Sequence, residues 1–216
     1  MADLPDIIPI FPLPNFVLFP HVNVPLHIFE PRYREMVTAV SQSHGIIGMM
    51  MLKGEWERDY YANPDLYEIG CAGKIRGMVR LPDGRFNLVL EGIREFRVLR
   101  EFRQHSYREA HVQWCPESAL ELDGLAMSSL RDLLSGFLGE AAREVWKSMV
   151  EEQGLAGADL INFLCFHLDV SPIEKQTLLE ARDARVGCLL DVLTFKLEER
   201  KLGPGGTAGG GSGVVQ

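Results

Sequence analysis

IPIFPLPNFVLFPHVNVPLHIFEPRYREM, residues 8–36, is the stretch whose reading decides the fold. Seven of the chain's twelve prolines fall within its first 31 residues: Pro5, Pro9, Pro12, Pro14, Pro20, Pro25 and Pro31. Short apolar bursts lie between them, at Ile7-Ile8, Ile10-Phe11, Phe16 to Phe19 and Leu26 to Phe29. Proline donates no ladder hydrogen bond and holds its predecessor extended, so these bursts read as short strands broken by turns. The segment is too apolar for a disordered proline-rich tail. After it the period changes. Tyr33, Met36, Val37 and Val40 follow an i, i+3, i+4, i+7 spacing, with Pro31 suited to the first turn of a helix.

Outward from this stretch, Gly45 to Leu52 is a continuous apolar run and reads as a buried strand. Lys53 to Leu66 is a polar loop that carries Trp56, Tyr60 and Tyr61. One or two strands are expected over Tyr67 to Leu81, followed by a hairpin turn at Pro82-Asp83-Gly84-Arg85. Phe86, Leu88 and Leu90 alternate with polar neighbours, and Ile93 to Phe102 and Tyr107 to Trp114 supply further strands. From Leu120 the period is helical. Leu130, Leu133, Leu134, Phe137 and Leu138 make one stripe, and Leu160, Ile161, Leu164 and Leu168 another. Ser171-Pro172-Ile173-Glu174 combines a serine N-cap, a proline at the first helical position and a capping-box glutamate. A last helix, about Asp183 to Leu202, ends in Arg200 and Lys201 and is stopped by Gly203-Pro204.

This order of segments resembles the N-terminal substrate-binding domain of Lon proteases. The resemblance rests on IPIFPLP (Ile8 to Pro14), VLFP (Val17 to Pro20) and above all PLHIFEPRY (Pro25 to Tyr33). Gly70 with its β-rich run, Asp83-Gly84-Arg85, and Glu91-Gly92 with Arg94 and Phe96 continue it, so that it covers about Ile8 to Leu202. The resemblance implies an α+β fold: a β-rich, PUA-like N-terminal subdomain over 1–116, then a helical subdomain over 117–202. Residues 203–216 are glycine-rich and read as a flexible tail. Glu30, Arg32, Tyr33, Asp83, Gly84, Glu91 and Gly92 are then structural motif residues, with Glu30 and Arg32 pinning the strand-to-helix junction.

Lon proteases carry ATPase and serine-lysine protease modules beyond this domain, and 216 residues leave no room for either. The chain has no GxxxxGK[ST] loop, no HExxH pair among its six dispersed histidines and no GxSxG elbow. It is therefore expected to be a free-standing, non-catalytic domain with no cofactor or metal. No apolar run approaches a membrane span, and the acidic start (Asp3, Asp6) argues against a secretory signal. Four scattered cysteines without a CxxC pattern agree with a reducing, cytoplasmic setting.

PUA-like folds often bind RNA, so charge matters. The net charge is −8, and the one cluster of bases, Arg94, Arg97, Arg100 and Arg103, is interleaved with Glu91, Glu95 and Glu101. This reads as a solvated mixed-charge face, and no nucleic-acid partner is expected. The resemblance instead implies recognition of unfolded or partly folded protein segments in protein quality control, with a separate ATP-dependent protease left open as a second partner. Candidate peptide contacts are Phe16 and Phe19 in the proline-rich entry and Trp56, Tyr60 and Tyr61 in the loop; the competing reading folds these rings onto the core. A small-ligand receptor, with a pocket where sheet and helices meet, is the alternative.

Overall fold

A computed structural model describes residues 4–54, 56–58 and 64–202. Tyr60 and Tyr61 lie outside the described residues. Six strands are present: β1 (Ile7–Leu13), β2 (Asn23–Ile28), β3 (Ile46–Met51), β4 (Ile69–Arg80), β5 (Phe86–Phe102) and β6 (Arg108–Trp114). Helix α1 (Pro31–Ser41) follows β2, with proline in its first turn. The C-terminal half holds α2 (Gly124–Leu138), α3 (Ala142–Trp146), a π-helical turn (Lys147–Glu152), α4 (Gly157–His167), α5 (Pro172–Ala181) and α6 (Arg185–Leu202). The architecture is α+β.

The strand order is β2-β5-β4-β3-β1-β6, and β6 returns to pair with β5, so five strands close into a small barrel. β2 lies outside that ring, antiparallel to the first half of β5. The 17-residue β5 makes this possible. Phe86 to Glu91 pairs with β2, and Phe96 to Phe102 pairs with β6. The sequence reading divides this strand near Gly92, whereas the chain runs through. Gly92 is where it passes the Phe19 carbonyl, and a Cβ there would collide with that backbone oxygen. The Glu91-Gly92 pair thus records a close backbone approach.

The proline-rich entry makes two strands instead of four. Phe16 to Phe19 crosses the barrel end without pairing, and Val17, Leu18 and Phe19 are buried. Tyr33, Met36, Val37 and Val40 form the buried face of α1, as their spacing predicts. All six residues of β3 are buried. The Pro82–Arg85 turn has positive φ only at Gly84 among its residues, with Gly84 N–H donating to the Leu81 carbonyl at 2.9 Å. It is therefore a type I turn followed by a left-handed glycine, not the two-residue primed turn.

In the helical half, Leu130, Leu134 and Phe137 face inward from α2, although that helix begins at Gly124 and not at Leu120. The Ser171 capping box of α5 is complete, with Oγ accepting from the Glu174 N–H at 3.2 Å and Glu174 accepting from the Ser171 N–H at 2.6 Å. Three helix ends are closed by cations from later helices. Arg200 donates to the Phe137 carbonyl (2.6 Å), Lys175 to that of Phe166 (2.5 Å), and Arg185 to those of Leu178 and Leu179 (2.8 and 3.0 Å). Each satisfies carbonyls that the helix itself leaves unpaired and complements the negative end of the dipole.

Candidate functional site

Beyond the barrel, the second half of β4, the first half of β5 and the whole of β2 form a three-stranded ribbon. β3 pairs with β4 only over Cys71 to Lys74, so past that point β4 has β5 on one side and, among the described residues, no strand on the other. Burial changes at the same place. Ile69 to Gly73 are buried, while Arg76 to Arg80 are all exposed.

The ribbon's two faces are sorted by the period of the strand. Phe86, Leu88 and Leu90 turn inward and are buried. Asn87 and Val89 turn outward beside their cross-strand partners Val79 and Gly77 on β4 and His27 and Pro25 on β2. The result is a shallow apolar groove of about 550 Å³ along the ribbon. Val79 is 60%, Phe29 59% and Val89 39% exposed, while Met78, paired with the inward-facing Leu88, is 38% exposed on the other face. One end is polar. The His27 ring meets Asn87 Oδ1 through Nδ1 (2.6 Å), lies 3.4 Å from an Arg85 nitrogen through Nε2, and stacks on Phe29.

Backbone groups are available along one edge. The Leu81 N–H donates to the Arg85 carbonyl at 2.8 Å. From there the antiparallel alternation directs the polar groups of Val79 and Gly77 to β5 and those of Arg80 and Met78 outward. On β2 the same alternation turns Pro25 outward, at a position where it has no N–H to offer. The β4 edge is open and the β2 edge is guarded.

A second concavity, about 330 Å³, lies where barrel and helices meet. Its floor holds Arg185, Glu95 and Asn162, none more than 2% exposed. Arg185 donates to Glu95 Oε1 and to Asn162 Oδ1, each at 2.5 Å, and its guanidinium covers the Phe19 ring. With the Leu178 and Leu179 carbonyls, four of a guanidinium's five N–H groups are engaged.

Of the sequence-selected contacts, Phe16, Phe19 and Trp56 are among the described residues and differ in exposure. Phe19 is fully buried beneath Arg185, so it belongs to the core and offers nothing to a client. Phe16 is half-buried and packs edge-on against Phe166 of α4. Trp56 is half-buried in a 3₁₀ turn. Glu30 and Arg32 form an ion pair (3.0 Å), with Arg32 over Tyr33 and Tyr33 against Phe11, which fixes the entry into α1. Glu91 pairs with Arg76. Asp83 pairs with Arg85 (2.5 Å), which holds the Asp83 carboxyl below the usual range. Arg94 and Arg97 are paired with Glu117 and Glu68. The groove at Gly77 to Val79 escaped sequence reading because Met, Val and Gly in a strand read as ordinary sheet; the signal was two consecutive apolar residues, Met78-Val79, beside a turn.

The model of the ATP-dependent protease La (LON) substrate-binding domain matches residues 7–194. Lon protease 2 of Sorangium cellulosum is 31% identical over 216 residues, covering 89% of this chain and 26% of that protein. Lon protease 2 of Syntrophobacter fumaroxidans is 26% identical over 195 residues, covering 89% of this chain and 24% of its own. The chain thus spans about a quarter of the length of these relatives. The N-terminal domain of a Mycobacterium avium complex Lon protease shares the fold, with a TM-score of 0.64 at 18% identity over 89% of this chain and 98% of its own. A Lon N-terminal domain protein from Xanthomonas campestris aligns at a TM-score of 0.60 and 26% identity, over 88% of this chain and 98% of its own. The matched residues run from β1 into α6, nearly the whole described chain, and the protein belongs to the Lon substrate-binding domain family.

Proposed function

We propose that this chain is a non-catalytic recognition module that takes up exposed apolar segments of unfolded or partly folded proteins in protein quality control. One observation carries the reading: the apolar groove of Val79 and Val89 over Gly77 runs beside a β4 edge that no strand among the described residues covers. Extended segments bind such sites through main-chain hydrogen bonds, with apolar notches taking alternate side chains. Membership of the substrate-binding family supports the role, and an ATP-dependent protease is the partner that the family suggests. No helix among the described residues is long and apolar enough to cross a membrane.

The test is a binding titration with a permanently unfolded, fluorescently labelled protein. Val79→Asp should weaken binding about tenfold or more while the melting temperature stays within a few degrees, since this side chain is well exposed and its loss opens no cavity. Unchanged affinity would remove the groove from the function. ATP turnover or casein cleavage that follows the pure protein and is lost in a point mutant would remove the non-catalytic assignment.

The junction cleft favours a second reading, a receptor for a small polar ligand. Its buried charges are already paired with each other and with helix carbonyls, which leaves little to recognise a ligand, so the polypeptide reading leads.

A further inference from the structure

We infer that the ribbon selects a particular class of segment: an extended strand with apolar residues at alternate positions and acidic residues flanking them, added along the Arg76–Arg80 edge of β4. This rests on the groove being the recognition site. Three observations favour that occupant.

The first is geometric. Arg80 and Met78 turn their backbone groups away from β5, and nothing among the described residues pairs with them. An incoming strand can therefore extend the sheet on this side, whereas Pro25 withholds a donor from the opposite edge. The second is Gly77. It is exposed within a strand, faces Val89, and has no atom within 4 Å of where a Cβ would stand. Glycine in a strand interior marks a place where another group can come close. The notch over Gly77, walled by Val79 and Val89, is open to one apolar side chain.

The third is charge. Residues 74–91 carry four bases (Lys74, Arg76, Arg80, Arg85) against two acids (Asp83, Glu91), within a chain of net charge −8. Arg76 and Arg85 hold Glu91 and Asp83 in exposed pairs, which contribute little and exchange partners readily. Arg80 lies by the Phe86 ring and has no acidic partner among the described residues. A segment with basic flanks meets this rim unfavourably; one with Asp or Glu on either side of its apolar core gains both the groove and the arginines. Charge complementarity of this kind sets which partners are accepted more than it sets raw affinity.

The test uses the full chain and three labelled peptides with one alternating Val/Ser core, flanked by Asp, by Ser or by Lys. In fluorescence anisotropy at about 50 mM salt the Asp-flanked peptide should bind about tenfold tighter than the Lys-flanked one, with the gap narrowing at about 300 mM as exposed charges are screened. Arg80→Glu, which leaves three bases against three acids over residues 74–91, should erase that preference with no change in melting temperature. N-methylation of alternate amides in the peptide core should abolish binding. Gly77→Trp should weaken all three peptides alike.

Equal binding of the Asp- and Lys-flanked peptides at low salt, with Gly77→Trp still weakening both, overturns the acidic preference and leaves the groove standing. Indifference of every peptide to Gly77→Trp overturns the groove itself. Retained affinity for the N-methylated peptide overturns strand addition. A dimer in sedimentation that Val79→Asp dissociates would assign the groove to a second copy of this chain and overturn the proposal.

Discussion

Arg185 of α6 donates to Glu95 of β5 at 2.5 Å, and neither side chain is reached by solvent. This buried pair joins the barrel to the helical half. Its partners include Asn162 of α4 and the last carbonyls of α5, so one side chain closes a helix end, links barrel to helices and covers Phe19. A buried pair is weak evidence of net stabilisation, but removing one partner strands the other charge in the interior.

Arg185→Met should therefore cost about 3–5 kcal/mol, through the isolated Glu95 carboxylate. Adding Glu95→Leu should restore the larger part of that loss. Recovery should remain incomplete, since the Leu178 and Leu179 carbonyls stay without their donor, at about 1–3 kcal/mol for unsatisfied buried groups. Urea unfolding of the three variants measures it. A double variant no more stable than Arg185→Met would show that the pair is not what holds the halves together.

Gly92 gives a second prediction. Its missing side chain admits the Phe19 carbonyl, and the His21 N–H donates to the Gly92 carbonyl at 2.8 Å while the Gly92 N–H donates to Val22. Gly92→Ala must push the entry segment off β5, which should cost about 1–3 kcal/mol or more. Gly77→Ala, in the same sheet but in open space, should cost little. Thermal melts of the two variants give the comparison, and similar losses at both positions would refute the close-approach explanation.

Much of this was legible in the chain, for local reasons. Pro31 and the Tyr33-Met36-Val37-Val40 spacing specify α1, and Ser171 with Glu174 specifies the start of α5, because capping and periodicity act over a few residues. Arg185 was not legible. It sits in an ordinary helical period, and its meaning comes from Glu95, ninety residues earlier. Phe19, a candidate contact with core packing as the competing reading, was not decidable locally for the same reason: it lies beneath Arg185 of α6, far along the sequence. The groove was hidden differently. Met78 and Val79 look like core residues, and only the early end of β3 leaves them uncovered.

The thiols supply a third prediction. Burial, with the nearby Glu95 charge, pushes the Cys71 thiol well above its usual range, and burial pushes that of Cys165 up to about 12. Thiolate is the reactive form, so both should be inert to thiol reagents in the folded protein and react only through opening of the fold. Cys188 is half-buried and should be modified first among the four. Mass mapping after brief alkylation, with and without denaturant, reads this out. Early labelling of Cys71 would mean that the barrel opens at its β3–β4 seam.

The last prediction concerns acid. The Ile46 N–H donates to Nδ1 of His44 at 3.0 Å, just where the chain turns into β3. That nitrogen can accept only when it carries no proton. Burial, with the Lys74 charge nearby, lowers the His44 pKa below its ordinary value of 6.5, in keeping with that role. The sign follows directly. Below about pH 6.5 the unfolded chain takes up a proton at this histidine that the folded protein resists, so this contribution is complete above pH 6.5 and is lost as pH falls towards the folded pKa. His44→Asn places an amide oxygen near the same N–H and cannot titrate. Its unfolding midpoint should fall less than that of the unaltered protein between about pH 7 and pH 5.5, in a window set by the lowered histidine pKa. Parallel curves for the two proteins over that interval would show that His44 takes up its proton equally in the folded and unfolded chains and that the β3 entry is held by other contacts.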